Sequence, residues 1–159
     1  MTNYLWLDLE TTGLDPELDH PLEIGVILAT EDEVLWEREW VFHNSGFYLT
    51  PEIQEMHTAN GLLEECTRSI LSTEIVDEML AQMVPAKAHP AGRNVAFDLA
   101  FCRKWFPHLF KRLHYRCLDL TTLDLFFRYP FDRPNPQVHR ALPDLQRDRE
   151  FYRRYRLRI

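Results

Sequence analysis

The stretch Tyr4-Leu5-Trp6-Leu7-Asp8-Leu9-Glu10-Thr11-Thr12-Gly13-Leu14-Asp15-Pro16 decides the fold. The bulky apolar run Tyr4-Leu5-Trp6-Leu7 suits a buried strand. Asp8 and Glu10 close that strand. Residues two apart on a strand share a face, so both carboxylates can grip the same cations. The following Gly- and Pro-containing turn stops the strand and leaves the acids at its carboxyl end, where ligand crevices lie in open α/β sheets. A metal site is the expectation; the plainer alternative is a solvated acid pair.

Working outward, residues 22–30 and 34–43 read as two further strands, and the Glu31-Asp32-Glu33 link between them suits an antiparallel hairpin. Residues 51–66 read as short helical pieces, with Thr50 as a cap before Pro51. Ser72-Thr73 opens a helix in which Ile75, Val76, Met79, Leu80 and Met83 recur at helical spacing until Pro85, a stripe expected in the core. A short strand over 86–91 leads into Gly92. A helix over 95–106 then carries Phe97, Asp98, Phe101 and Trp105 up to Pro107. Residues 115–120 read as a fifth strand and 121–127 as a helix, while the prolines of 129–136 predict a mobile loop beside the site. Periodicity alone gives a mixed α/β domain.

At 159 residues with 45% hydrophobic content, one domain spanning 1–159 is expected. No apolar run is long enough to span a membrane and no secretory leader is evident, so the expected address is cytoplasmic, without a membrane. Cys66, Cys102 and Cys117 fit neither a disulfide framework nor a zinc pattern and are expected as buried thiols. A net charge of −7 argues against gripping long nucleic acid by general electrostatics. The substrate is expected to be short, or held at one end, with bound divalent cations cancelling the site acids.

Three strings carry a resemblance: WLDLETTGLDP from Trp6, GRNVAFDLAF from Gly92 and HRALPDL from His139. In this order they resemble the motifs of the DEDDh 3′-5′ exonucleases, which include oligoribonucleases and the proofreading subunit of bacterial DNA polymerase III. The resemblance implies a ribonuclease H-like mixed five-stranded sheet flanked by helices. It also implies two-metal hydrolysis of the 3′-terminal phosphodiester of short single-stranded RNA or DNA, giving nucleoside 5′-monophosphates. By resemblance, Asp8 bridges two Mg²⁺ or Mn²⁺ ions, Glu10 and Asp144 hold one, Asp98 supports the other, and His139 takes the proton of the attacking water. All-oxygen ligands suit these ions better than zinc. Two of these candidates have a plainer reading. Asp98 near a helix start can simply favour the macrodipole, and His139 is one of 7 histidines. Gly92 permits close backbone packing, while Phe97 and Phe101 would anchor the helix that aims Asp98.

Within that family, the segment from Met56 to Leu63 resembles the oligoribonuclease H-T-A-S-G-L, which puts His57 near the terminal nucleotide, and Leu14 resembles a leucine that wedges between bases. Thr11, Gly13 and Asn94 complete the substrate-binding candidates. A homodimer is a further implication. Against the oligoribonuclease reading, GRNVAFDLAF is closer to the DNA-proofreading form, and Glu52 stands where a base-stacking tryptophan is usual. Pro143 replaces a common acidic residue; because proline fits a first helical turn, the last helix is expected to begin near Leu142, with His139 just ahead. Arg149, Arg153, Arg154, Arg156 and Arg158 suggest a solvated helix face that could meet phosphate or an acidic partner. A catalytically silent, partner-binding member of the fold is the reading from a different class.

Overall fold

The structure, a computed structural model, describes residues 2–44, 46–127 and 139–157. Its strands are β1 (Tyr4–Thr11), β2 (Pro21–Ala29), β3 (Val34–Val41), β4 (His89–Gly92) and β5 (Leu118–Asp119), in one five-stranded sheet ordered β3-β2-β1-β4-β5. The hairpin-linked β1, β2 and β3 pair antiparallel, whereas β4 and β5 run parallel to β1. The helices are α1 (Pro51–Ala59), α2 (Leu62–Arg68), α3 (Thr73–Met83), α4 (Val95–Trp105), α5 (Pro107–Arg112), α6 (Leu120–Phe127) and α7 (Ala141–Arg156). This is the mixed sheet flanked by helices that the sequence led us to expect. No helix among the described residues is long and apolar enough to cross a membrane.

Helices cover both sheet faces, so β2 is buried from end to end. Leu5, Leu7 and Leu9 of β1 join Ile24, Val26 and Leu28 of β2 against Val76, Leu80, Phe101, Phe106 and Leu109. On the opposite face Trp6 and Ile27 pack with Ala91, Leu120, Leu145 and Tyr155. The alternation along β1 therefore sends Asp8 and Glu10 to the face that α7 covers.

Several boundaries differ from the sequence reading, each for a local reason. Residues 51–66 break into α1 and α2 at Gly61, whose φ of +80° is natural for glycine. Thr50 does cap α1, accepting from the Ile53 amide at 3.4 Å. Pro107, read as a stop, is also a start: it opens α5 at the first helical position, where a missing N–H costs nothing. Strand β5 shrinks to Leu118–Asp119 because it is an edge pairing only with Ala91 and Gly92. Cys66 and Cys102 are buried as expected, and burial pushes the Cys66 thiol up to about 11. Cys117 is a correction: it is exposed, because it precedes that edge strand rather than lying in a covered one. Of the α3 stripe, Val76 and Leu80 are core, but Ile75 and Met79 are exposed. The proposed mobile loop over 129–136 lies outside the described residues.

Candidate active site

Strand register builds one wall of the site. Asp8 lies opposite Gly25 and Glu10 opposite Glu23 across the β1–β2 ladder. A side chain at Gly25 would meet the start of α7, since a Cβ there would stand 2.8 Å from both the Ala141 carbonyl carbon and the Leu142 nitrogen. The missing side chain lets α7 come down onto the acids. Helix α7 begins at Ala141, one residue before expectation, so Pro143 falls in the first turn and its absent N–H removes no helical bond. His139 stands just ahead of the helix and Asp144 lies in its first turn.

A second wall comes from the other face. Strands β1 and β4 pair only over Tyr4–Trp6, so beyond Trp6 the β4 edge of β1 is open. Asp98, in the first turn of α4 and 3% exposed, fills the gap by accepting a hydrogen bond from the Leu9 amide at 3.0 Å. Gly92 allows the close packing expected of it, since a Cβ there would lie 2.9 Å from the Leu7 carbonyl oxygen. Phe101 is buried and Phe97 packs beside it, so the helix is anchored as anticipated.

Glu10, His139 and Asp144 converge: each offers a ligand atom, and these atoms lie within 4.8 Å of one another. Asp8 and Asp98 stay outside that set, yet they are close enough to repel it. Burial, then Asp144, Asp148 and Glu23, pushes the Asp8 carboxyl up to about 8. Burial, then Asp8, Asp144 and Glu23, pushes Glu10 up to about 9. Asp98 rises through burial and then Asp8, and Asp144 rises through burial although Arg147 sits 2.8 Å away and opposes the shift. Carboxyls pushed upward by burial and then by one another are short of positive charge. An oxygen-rich donor set with one imidazole in such a place fits hard divalent cations.

The substrate-binding candidates divide. Leu14 is 82% exposed in the turn after β1, and Asn94 is exposed at the mouth of α4 in the left-handed region (φ 54°), with its amide donating to Asp119 and Thr121. Gly13 lies under the Asp19 carboxylate. Thr11 is buried and gives its hydroxyl proton to the Gly13 carbonyl at 2.6 Å. His57 is also buried; its Nε2 stands 3.5 Å from Glu10 Oε2, and burial, then His139 and Arg140, pulls its pKa down to about 4. A neutral ring buried against Glu10 offers no positive charge to phosphate.

Residues the sequence reading passed over surround His139. Glu23, fully buried, binds the Arg140 guanidinium and accepts from the Ala141 amide at 2.9 Å. Asn60 donates to the His139 carbonyl at 2.6 Å. A lone acid inside the apolar run of β2 was the available signal for Glu23. Deeper in, Arg93 pairs with Asp148 at 3.2 Å and with Asp124, which also accepts from the Tyr155 hydroxyl. Of the arginine-rich end, Arg149 is buried and corrects the reading of a wholly solvated face, while Arg154 pairs with Glu150 and Arg156 with Glu31 and Asp32. Arg158 lies outside the described residues.

The sheet order, with crowded acids and an imidazole where β1 and β4 part, defines a nuclease of the ribonuclease H-like class. The chain belongs to the DEDDh branch of the exonuclease family, whose RNase T group matches residues 5–151. It is 36% identical over 169 residues to the oligoribonuclease of Actinobacillus pleuropneumoniae, spanning 97% of this chain and 92% of that protein. To the oligoribonuclease of Francisella tularensis it is 31% identical over 175 residues, 99% of this chain and 97% of the other. The fold is that of E. coli exonuclease I bound to single-stranded DNA, with a TM-score of 0.70 at 17% identity, covering 95% of this chain and 40% of that one. Exonuclease I from Methylocaldum szegediense aligns with a TM-score of 0.69 at 17% identity, covering 92% of this chain and 38% of that one. The chain thus spans about two fifths of those exonuclease I chains.

Proposed function

We propose that the chain is an oligoribonuclease: a single exonuclease domain over 1–159 that removes nucleotides from the 3′ end of short single-stranded RNA. The oligoribonuclease relatives support the substrate class, since they align over nearly their whole length. A cytoplasmic place of work and a homodimer complete the proposal, the homodimer carried over from the motif resemblance. The observation that carries the chemistry is the convergence of Glu10, His139 and Asp144 within 4.8 Å, beside the crowded Asp8 and Asp98.

Asp8, Glu10, Asp98 and Asp144 would hold two Mg²⁺ or Mn²⁺ ions. Bound there, the ions would make the attacking water acidic and balance charge on the scissile phosphate. A ring nitrogen of His139 accepts the proton of that water as its oxygen attacks phosphorus. The bond from phosphorus to the 3′ oxygen of the penultimate nucleotide breaks, and a nucleoside 5′-monophosphate leaves. Leu14 and Asn94, both exposed, contact the last nucleotides.

The test offers labelled RNA and DNA pentamers in Mn²⁺ or Mg²⁺. RNA should be shortened from its 3′ end faster than DNA, and Asp8→Asn should lower the rate on the order of a thousandfold or more while the protein stays folded. Preference for DNA would turn the reading toward a proofreading-type enzyme. Cleavage of neither, or an undiminished Asp8→Asn rate, would remove the site as drawn.

A further inference from the structure

His139 stands just ahead of α7, and the groups that hold the backbone between it and the helix come from elsewhere in the chain. Asn60 caps the end of α1, and its side-chain orientation is determined by its neighbours. The Leu62 amide must find an acceptor and meets Asn60 Oδ1 at 3.0 Å, so the other terminal atom is the amide nitrogen. That nitrogen lies 2.6 Å from the His139 carbonyl oxygen and 3.4 Å from His57 Nδ1, to which its second N–H is directed. Accepting there makes Nδ1 of His57 the bare nitrogen and leaves Nε2–H facing Glu10. One amide therefore joins the α1–α2 corner, His57 and the segment carrying His139.

The next two residues are held as firmly. Arg140 spreads its guanidinium over two carboxylates, with Nη2 at 2.7 Å from Glu23 Oε1 and Nη1 at 2.9 Å from Glu65 Oε1. Glu23 also receives the Ala141 amide. The carbonyl of 139 is thus tied to the end of α1, the side chain of 140 to β2 and α2, and the amide of 141 to β2.

We infer that Asn60 and Arg140 are positioning residues for His139: by clamping the backbone immediately after its Cα they fix where the residue stands and narrow the positions from which the imidazole can reach the attacking water. The inference deepens the proposed function and rests on His139 acting as the base there. Neither residue is assigned contact with substrate or cation. Their removal should therefore act on the chemical step and leave binding alone.

The experiment compares wild type, Asn60→Ala, His139→Ala and the double variant on the RNA pentamer, with Mn²⁺ affinity measured by calorimetry and folding by thermal melting. Asn60→Ala should lower kcat about tenfold or more, while KM and the Mn²⁺ dissociation constant move less than about twofold. The double variant should be no slower than His139→Ala alone, because a residue acting through His139 has nothing left to position. An unchanged kcat in Asn60→Ala, or losses that multiply in the double variant, would overturn the inference while leaving the nuclease reading intact. A fully active His139→Ala would instead remove His139 as the base, and the inference with it. Should Asn60→Ala not fold, Arg140→Lys keeps the charge and loses the planar two-sided contact, and the same kcat-against-KM split applies.

Discussion

Stripped of divalent cations, the protein should become less stable as pH rises above neutrality. Asp8 titrates near 8 instead of 3.8 and Glu10 near 9 instead of 4.5, chiefly through burial and then through neighbouring acids. In the unfolded chain both are ionised at neutral pH. The folded protein therefore holds protons that the unfolded chain has released, and stability falls with pH between the unfolded and folded pKa values. His57 works in the opposite sense, but only below its ordinary 6.5, because its folded pKa is near 4. From pH 6.5 to pH 8 His57 no longer opposes the acids. If Asp8 and Glu10 between them keep a single extra proton, the slope is about 1.4 kcal/mol per pH unit, or about 2 kcal/mol over the window. For a domain of this size that is a fall in Tm of roughly 4–8 °C. The assay is a thermal melt in EDTA at the two pH values, repeated in excess Mn²⁺. Cations bind the ionised acids, so Mn²⁺ at about a hundred times its Kd should add about 2.7 kcal/mol and remove the decline. A Glu10→Gln, Asp8→Asn double variant in EDTA should lose the slope. A Tm that is flat or rises with pH in EDTA would refute the claim that burial and neighbouring acids keep Asp8 and Glu10 protonated in the fold.

Two further perturbations address the framework. Gly25→Ala forces a methyl against the backbone of α7 at 2.8 Å, so it should cost about 1–3 kcal/mol in urea unfolding and lower kcat by displacing His139 and Asp144 together; an unchanged Tm would mean that α7 has room to retreat. Glu23→Ala leaves the Ala141 amide without its partner and Arg140 with Glu65 alone, so a loss near the lower end of about 3–5 kcal/mol is expected, measured as a lower unfolding midpoint at unchanged m-value.

What could be read in the sequence was what neighbouring residues decide. Asp8 and Glu10 share a face because they are two apart on a strand, and the hairpin linking β2 to β3 follows from a short polar link between apolar runs. Asp98 was found through the resemblance of GRNVAFDLAF to the family's second motif, and Phe97 and Phe101 do anchor its helix as that reading expects. Long-range pairing was out of reach. Glu23 meets Arg140 across 117 positions and Asn60 meets the His139 carbonyl across 79, and no local pattern joins them. Pro107 misled because proline ends one helix and begins another with equal ease, and only packing tells which. Cys117 misled because cysteine's usual burial says nothing about a strand that turns out to be a short edge.

The distribution of charge explains how an acidic protein can act on a polyanion. Asp8, Glu10, Glu23, Asp98, Asp144 and Asp148 all lie within or against the site, and the cations set among them, Arg93, Arg140 and Arg147, are already paired to acids. Part of the net charge of −7 is thus concentrated where divalent ions would enter, not spread over the surface. Such a site repels phosphate until it is loaded and attracts it afterwards, so cation and substrate should bind in that order. Long nucleic acid gains little from a chain with a net charge of −7, whereas a 3′ end needs only the loaded site. The same concentration of acids that makes the empty protein sensitive to pH thereby restricts its substrate to a short strand or a free end.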